Sequence, residues 1–286
     1  MRIVKCNLCN SVKIIKRDGS VRDNKSLDIY ECDDCGLVFL SDFTHIENSF
    51  YEESNMHGET TIDILDWIKE TNEDDTRRFE FIKNSIKDKD ILDFGSGAGG
   101  FLKKTKSISN SSTGLELDKK VKEYYISNEI LYENNIINLK DNRFDIITMF
   151  HVLEHLPNPE ETLEILLKSL KSGGSLIVEV PNANDVLLSL YKSNSFSNFT
   201  YWSCHLYLYT QHTLNLLAKK VGLKVEFIKC IQRYPLSNHM YWLSKGKPGG
   251  HDIWGNFLDT PSLSQAYEES LASIGSTDTL IAKFVK

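Results

Sequence analysis

The chain has 286 residues and a net charge of −7, with 41% apolar and 26% charged residues. That is ordinary globular composition, long enough for a well-buried core in one large domain or two. The acidic balance argues against a general nucleic-acid binder, which needs clustered positive charge, and gives no reason to expect an anionic membrane surface as partner.

The N-terminal run MRIVKCNLCN lacks the apolar core of a secretion signal. No stretch approaches the roughly 20 apolar residues of a membrane span. The expectation is a cytoplasmic protein with reduced thiols. Four of the six cysteines, Cys6, Cys9, Cys32 and Cys35, form two C-x2-C pairs within the first 35 residues. Each pair can aim two thiolates from one tight turn, and four thiolates suit a structural Zn²⁺. Gly36 follows the second pair, and Val12, Ile14, Leu27 and Ile29 alternate loosely between the pairs, as short strands of a zinc ribbon would. Residues 1–42 thus read as a small metal module. Cys204 and Cys230 stand singly and read as core or near-surface thiols.

Residues 37–60 read as a connector, and 43–87 as a segment leading into the core. Apolar spacing at Ile62, Leu65, Ile68, then Phe79, Ile82 and Ile86 predicts two helices, with a break at the acidic run 72–75. From residue 88 the chain alternates strands (91–94, 112–116, 144–150, 175–180) with helices, notably 159–170, which has Pro159 in its first turn. Such alternation implies a mostly parallel sheet with helices on both faces. A helix over 211–221 and strands at 223–229 and 279–285 complete it.

The strand at 91–94 runs into Gly95-Ser96-Gly97-Ala98-Gly99-Gly100, and a helix then begins. Glycines let a ligand approach the backbone, and the helix N-terminus offers unsatisfied N–H groups. Glu116, 21 residues after Gly95, closes the next strand, where a carboxylate can accept both hydroxyls of a ribose. The glycine spacing also fits a nicotinamide dinucleotide and hence an NAD-dependent oxidoreductase. Asp93, however, would repel a pyrophosphate and suits the charged amino group of S-adenosylmethionine.

The run Ile91-Leu92-Asp93-Phe94-Gly95-Ser96-Gly97-Ala98-Gly99 resembles motif I of the class I S-adenosylmethionine-dependent methyltransferases. Residues 114–118 (Gly-Leu-Glu-Leu-Asp) are similar to their ribose-binding motif. Residues 144–159 and 170–182 are similar to the strands and turns that follow, so the resemblance runs from about 78 to 230. It implies a Rossmann-like α/β fold with an antiparallel last strand, S-adenosylmethionine as cofactor, and methyl transfer. It further implies cofactor contacts at Asp93, Gly95, Ser96, Gly97, Glu116, Leu117, Phe150 and His151. Arg78 resembles a helix arginine that clamps the methionine carboxylate in some members, and Glu154-His155 would brace the turn. A four-cysteine module ahead of such a domain is similar to a branch acting on sugars and related small molecules.

Methyl transfer to a hydroxyl needs a proton acceptor, a role that suits histidine near neutral pH. Candidates are His205, in the aromatic stretch 201–210 that can fold over an acceptor, then His239, and His155. Residues 183–209 and 231–276 read as acceptor-side insertions, the second as a long functional loop. Within it Arg233, Lys245, Lys247 and the Gly249-Gly250-His251 turn suggest a basic patch for a phosphate-bearing acceptor. The expected reaction is O-methylation in surface-polysaccharide or nucleotide-sugar metabolism, with C-methylation of a nucleotide-linked keto sugar as the alternative.

Overall fold

The computed structural model describes residues 4–46 and 63–286. Part of the expected 37–60 connector therefore lies outside the described residues, as does Ile62 of the first helical pattern.

The N-terminal module contains β1 (Ile14–Lys16), β2 (Ile29–Cys32) and β3 (Val38–Leu40), each antiparallel to the next. Its fourth strand comes from far along the chain: β9 (Tyr207–Leu208) pairs antiparallel with β3. The aromatic stretch 201–210 is therefore not a cover over an acceptor. Tyr201, Tyr207 and Tyr209 are each at most 2% exposed and pack into the core shared with the module. Tyr207 accepts a hydrogen bond from Asn7 and donates one to the Pro157 carbonyl, tying the module to the turn after a central strand. Packing these rings between the module and the larger domain removes their apolar area from water.

A single helix, α1 (Ile64–Ile86), enters the core in place of the two expected. The acidic run does not break it, because Asp74 and Asp75 find partners at i+3: Asp74 pairs with Arg77 and Asp75 with Arg78. Beyond it lie β4 (Asp90–Phe94), α2 (Gly100–Thr105), β5 (Ser111–Leu115), α3 (Lys122–Ser127), β6 (Leu131–Glu133), β7 (Phe144–Phe150), α4 (Pro159–Ser169) and β8 (Leu170–Pro181). Short helices α5 (Val186–Ser189) and α6 (Asn194–Ser197) precede β9, followed by α7 (Gln211–Lys220), β10 (Lys224–Ile231) and β11 (Thr279–Val285). The seven-stranded sheet runs β10-β11-β8-β7-β4-β5-β6. Every neighbouring pair from β8 to β6 is parallel, and β11 is antiparallel to both β8 and β10. This is the Rossmann-like order with a reversed last strand. The middle strands are apolar on both faces, as helices on both sides demand: Ile91, Leu92, Ile147, Met149 and Val178 are fully buried.

Residues 231–276 are helical. They fold as α8 (Leu236–Lys245), α9 (Gly250–Leu258) and α10 (Pro261–Ser273). No helix among the described residues is long and apolar enough to cross a membrane.

Because β9 closes the module's sheet, Tyr207→Ala should cost about 3–5 kcal/mol, the usual range for truncating a large buried aromatic. Thermal unfolding should still show one transition, at lower temperature. Two separate transitions would mean that module and domain unfold independently.

Candidate functional site

The C-terminal ends of the parallel strands open into a cleft of about 390 Å³. This is where ligands bind in open α/β sheets. Its floor is the turn from β4 to α2. Gly95 and Gly97 adopt φ values of +72° and +52°, which a side chain resists. A Cβ on Gly95 would also lie 2.4 Å from a Val152 methyl. Beyond the turn, α2 presents its first N–H groups to the cleft.

Two carboxylates flank the turn. Glu116 Oε2 accepts the Gly97 N–H at 2.8 Å, and its Oε1 accepts the Asp118 N–H at 3.1 Å. Burial raises its pKa, with these backbone bonds opposing the shift. Asp93 is 4% exposed and accepts a bond from Thr148 Oγ at 2.7 Å. Burial pushes its carboxyl up to about 7, against the pull of that hydrogen bond. Ser96, Leu117, Phe150, His151 and Arg78 also line the cleft.

Arg78 lies 4.9 Å over the Phe150 ring. Its Nε and Nη2 both donate to Glu179 Oε1, at 2.9 and 2.8 Å. Glu179, on β8, is fully buried and also takes two bonds from Arg77. His151 Nε2 lies 3.3 Å from the same oxygen. Burial alone would raise the Glu179 pKa; the His151 hydrogen bond and the Arg78 and Arg77 charges outweigh it and hold the carboxyl well below its usual range. Neither Glu179 nor Arg77 stands out in the sequence, because their partners lie about a hundred residues apart. The only local hint is a glutamate inside an otherwise apolar strand.

His151 has φ +55°, rare for a side chain with a ring, at the end of β7. Its Nδ1 lies 3.2 Å from Glu154 Oε1, and its Nε2 is 3.1 Å from Arg233 Nη1. Glu154 is fully buried; the His151 hydrogen bond and the charges of nearby histidines overcome its burial and bring it down to about 2. Arg233 also grips Asp74 on α1 through Nε at 3.0 Å and through Nη2. Arg233 therefore belongs to the cleft. The expected patch does not assemble around it: Lys245, Lys247 and His251 are exposed, and the Gly249 N–H is taken by Asn238.

Of the expected bases, only His155 lines the cleft. It is 5% exposed, its Nδ1 donates to the Cys204 carbonyl at 2.8 Å, and burial lowers its pKa. His205 stacks edge-on against it with ring centres 4.8 Å apart, and is pushed down to about 3, chiefly by burial. His205 is not among the cleft-lining residues. Neither is His239, which is bonded through Nδ1 to the Tyr267 hydroxyl at 2.8 Å on α8 and is pushed down to about 4 by burial.

In the N-terminal module the Sγ atoms of Cys6, Cys9, Cys32 and Cys35 all lie within 4.8 Å of one another. Cys6–Cys35 and Cys9–Cys32 are 3.6 and 3.5 Å apart. That is far longer than a disulfide and close to the roughly 3.8 Å edge of a tetrahedron with 2.3 Å Zn–S bonds. The residue after each second cysteine, Asn10 or Gly36, has positive φ (61° and 77°), so both pairs turn alike. The donor set and its spacing fit a tetrahedral thiophilic ion.

Comparisons with known proteins fit this geometry. The family model described as "Methyltransferase domain" matches residues 66–227. Over 223 residues the chain is 25% identical to the ubiquinone biosynthesis O-methyltransferase of Hydrogenovibrio crunogenus, covering 70% of this chain and 88% of that one. It is 27% identical over 176 residues to the Coxiella burnetii protein of the same name, covering 56% and 75%. Among solved structures, a Thermotoga maritima methyltransferase described as a possible histamine N-methyltransferase superposes with a TM-score of 0.52 at 19% identity, covering 83% of this chain and 97% of that one. That likeness concerns the fold. The choice between a nicotinamide and a methyl donor, open on glycine spacing alone, is thereby closed: the chain belongs to the methyltransferase-domain family and is a class I S-adenosylmethionine-dependent methyltransferase.

Proposed function

We propose that this enzyme methylates a hydroxyl oxygen of a small-molecule acceptor, with His151 taking the proton. The observation that carries this reading is the position of His151, on the cleft wall between Glu154 and Arg233. His151 Nε2 sits between Arg233 Nη1 and Glu179 Oε1, and Nδ1 faces Glu154 Oε1, so three charged groups fix the ring on the cleft wall. An imidazole held in one orientation by buried carboxylates is the arrangement a general base needs. His151 thus replaces His205 and His239 as the leading base, because neither of those reaches the cleft lining. The relatives named as O-methyltransferases support oxygen as the target.

When bound, S-adenosylmethionine supplies a methyl on a positive sulfur, and the S–CH₃ bond breaks as the O–CH₃ bond forms. In this reading Glu116 accepts the ribose hydroxyls and Asp93 faces the amino group. Arg78, braced by Glu179, presents its remaining N–H face to the methionine carboxylate. The protein's main task is then alignment of donor and acceptor. Arg233 offers an acceptor one positive group at the cleft mouth.

The relatives' names make a ubiquinone-pathway hydroxyl the first acceptor class to test. A nucleotide-linked sugar is the second reading, favoured by the four-cysteine module, which we read as a structural zinc site. A screen of hydroxylated quinone precursors and nucleotide-linked sugars, read by mass spectrometry with NMR location of the methyl, separates these classes. Methyl found only on carbon would overturn the O-methylation reading.

Glu116→Ala should weaken S-adenosylhomocysteine binding roughly 10- to 100-fold, the worth of charge-assisted hydrogen bonds. Calorimetry showing unaltered affinity would remove Glu116 from the site. Asp93 sets a pH dependence. Its carboxyl, pushed up to about 7, must lose its proton to meet an ammonium. Affinity for S-adenosylhomocysteine should therefore fall roughly tenfold from pH 8 to pH 6, with proton release on binding. In Asp93→Asn that slope should vanish. His151→Ala should lower kcat by roughly 10²- to 10⁴-fold while changing S-adenosylhomocysteine affinity far less. Equal losses in both would make His151 a cofactor contact only.

A further inference from the structure

A second cluster of metal-ligand chemistry lies at the cleft wall, outside the four-cysteine site, with His155 lining the cleft and Cys204 and His205 behind it. His155, Cys204 and His205 offer three ligand atoms that all lie within 4.8 Å of one another. They come from two segments: His155 from the turn after β7, Cys204 and His205 from the insertion leading into β9. The Leu206 N–H binds the Glu154 carbonyl at 2.8 Å, which holds the segments together at this point.

Two further observations point to an ion. The first is tautomeric. His155 Nδ1 contacts a backbone carbonyl, the Cys204 oxygen, at 2.8 Å. A carbonyl can only accept, so Nδ1 carries the proton and Nε2 carries the lone pair, on the side of Glu154. A ring N–H donated to a carbonyl is the usual outer support of a metal-bound histidine. The second is an unpartnered oxygen. Glu154 is fully buried, and while its Oε1 faces His151, its Oε2 has no hydrogen-bond partner among the described residues. Its Oε1 lies 4.0 Å from His155 Nε2. A buried carboxylate oxygen without a partner is costly, and buried charges are normally paired or bound to metals.

We propose that His155, Cys204 and His205, completed by Glu154, bind a second divalent ion of zinc type. Two imidazoles, one thiolate and one carboxylate match the nitrogen, sulfur and oxygen donors that zinc accepts in four-coordinate sites. The ion joins the cleft turn to the strand that completes the N-terminal sheet. It leaves His151 as the cleft's proton acceptor, because His155 is then a ligand.

The test is zinc content of the full-length protein, measured by plasma mass spectrometry after dialysis against metal-free buffer. Cys204→Ser and His205→Gln should each carry one zinc equivalent less than the unaltered chain, whereas Cys9→Ser should keep that equivalent. Equal zinc content in the unaltered chain and in both variants overturns the proposal. Should those variants fail to fold, X-ray absorption of the unaltered zinc protein decides. A nitrogen/oxygen shell near 2.0–2.1 Å beside the sulfur shell near 2.3 Å is expected, and a pure sulfur shell overturns it. The four-cysteine site is tested separately: if it held no zinc, the difference between the unaltered chain and the Cys204 and His205 variants would persist.

Discussion

A fully buried carboxylate on the central sheet, Glu179, fixes most of what surrounds the cleft. An ionised group at zero exposure is tolerable only when paired and hydrogen-bonded. Glu179 meets that condition with two arginines of α1 and with His151 at the end of β7. The arginines in turn need acids: Arg77 takes Asp74, and Arg78 takes Asp75. Asp74 then draws in Arg233 from the end of β10, and Arg233 returns to His151. Glu179, Arg77, Asp74, Arg233 and His151 thus close a ring through β8, α1, the helical insertion and the β7 turn, with Arg78 and Asp75 as a branch from Glu179. Removing one member of such a network leaves another charge buried and unpaired, which typically costs several kcal/mol. The cleft wall is therefore set by electrostatics as much as by packing.

That network also explains why the helix entering the core is continuous. Read locally, the run 72–75 looks like a solvated break. Its two aspartates are instead held within the helix by the arginines that reach Glu179. A local reading of charge cannot see this, because the deciding partner is more than a hundred residues away. The same limit hides Glu179 itself and makes Arg233 look like part of a loop patch.

What the sequence does make legible is whatever depends on short-range chemistry. The glycine turn, Asp93 and Glu116 lie within about two dozen residues, and the structure gathers them around one cleft. The four cysteines announce themselves by spacing, and the strand periods of the parallel sheet follow from burial on both faces. The insertion at 231–276 was readable too, by a different signal. Its length suggests a loop, but Pro235 and Pro261 stand at helix starts, and Gly246 closes α8 with φ +65°. Those are capping signals, and the fold obeys them. The aromatic stretch 201–210 was ambiguous for a physical reason. Tyrosine and tryptophan serve a ligand or a core equally well, and only the pairing of β9 with β3 decides between them.

That pairing bears on how the small module takes part in the enzyme. A module of this size has too little apolar surface to fold on its own packing. Here its third strand receives β9, and Arg17 reaches the Ala183 carbonyl at 2.6 Å just past the end of β8. Ser203 binds Asp23 through both its N–H and its hydroxyl, at 2.9 and 2.6 Å. The segment 201–209 is thus held on one side by the cysteine module and on the other by the turn carrying Glu154 and His155. That turn begins with His151, whose strained backbone aims its ring at the cleft. The module is thereby joined, through Tyr207 and the Cys204 carbonyl bonded to His155, to the turn that forms one wall of the cleft.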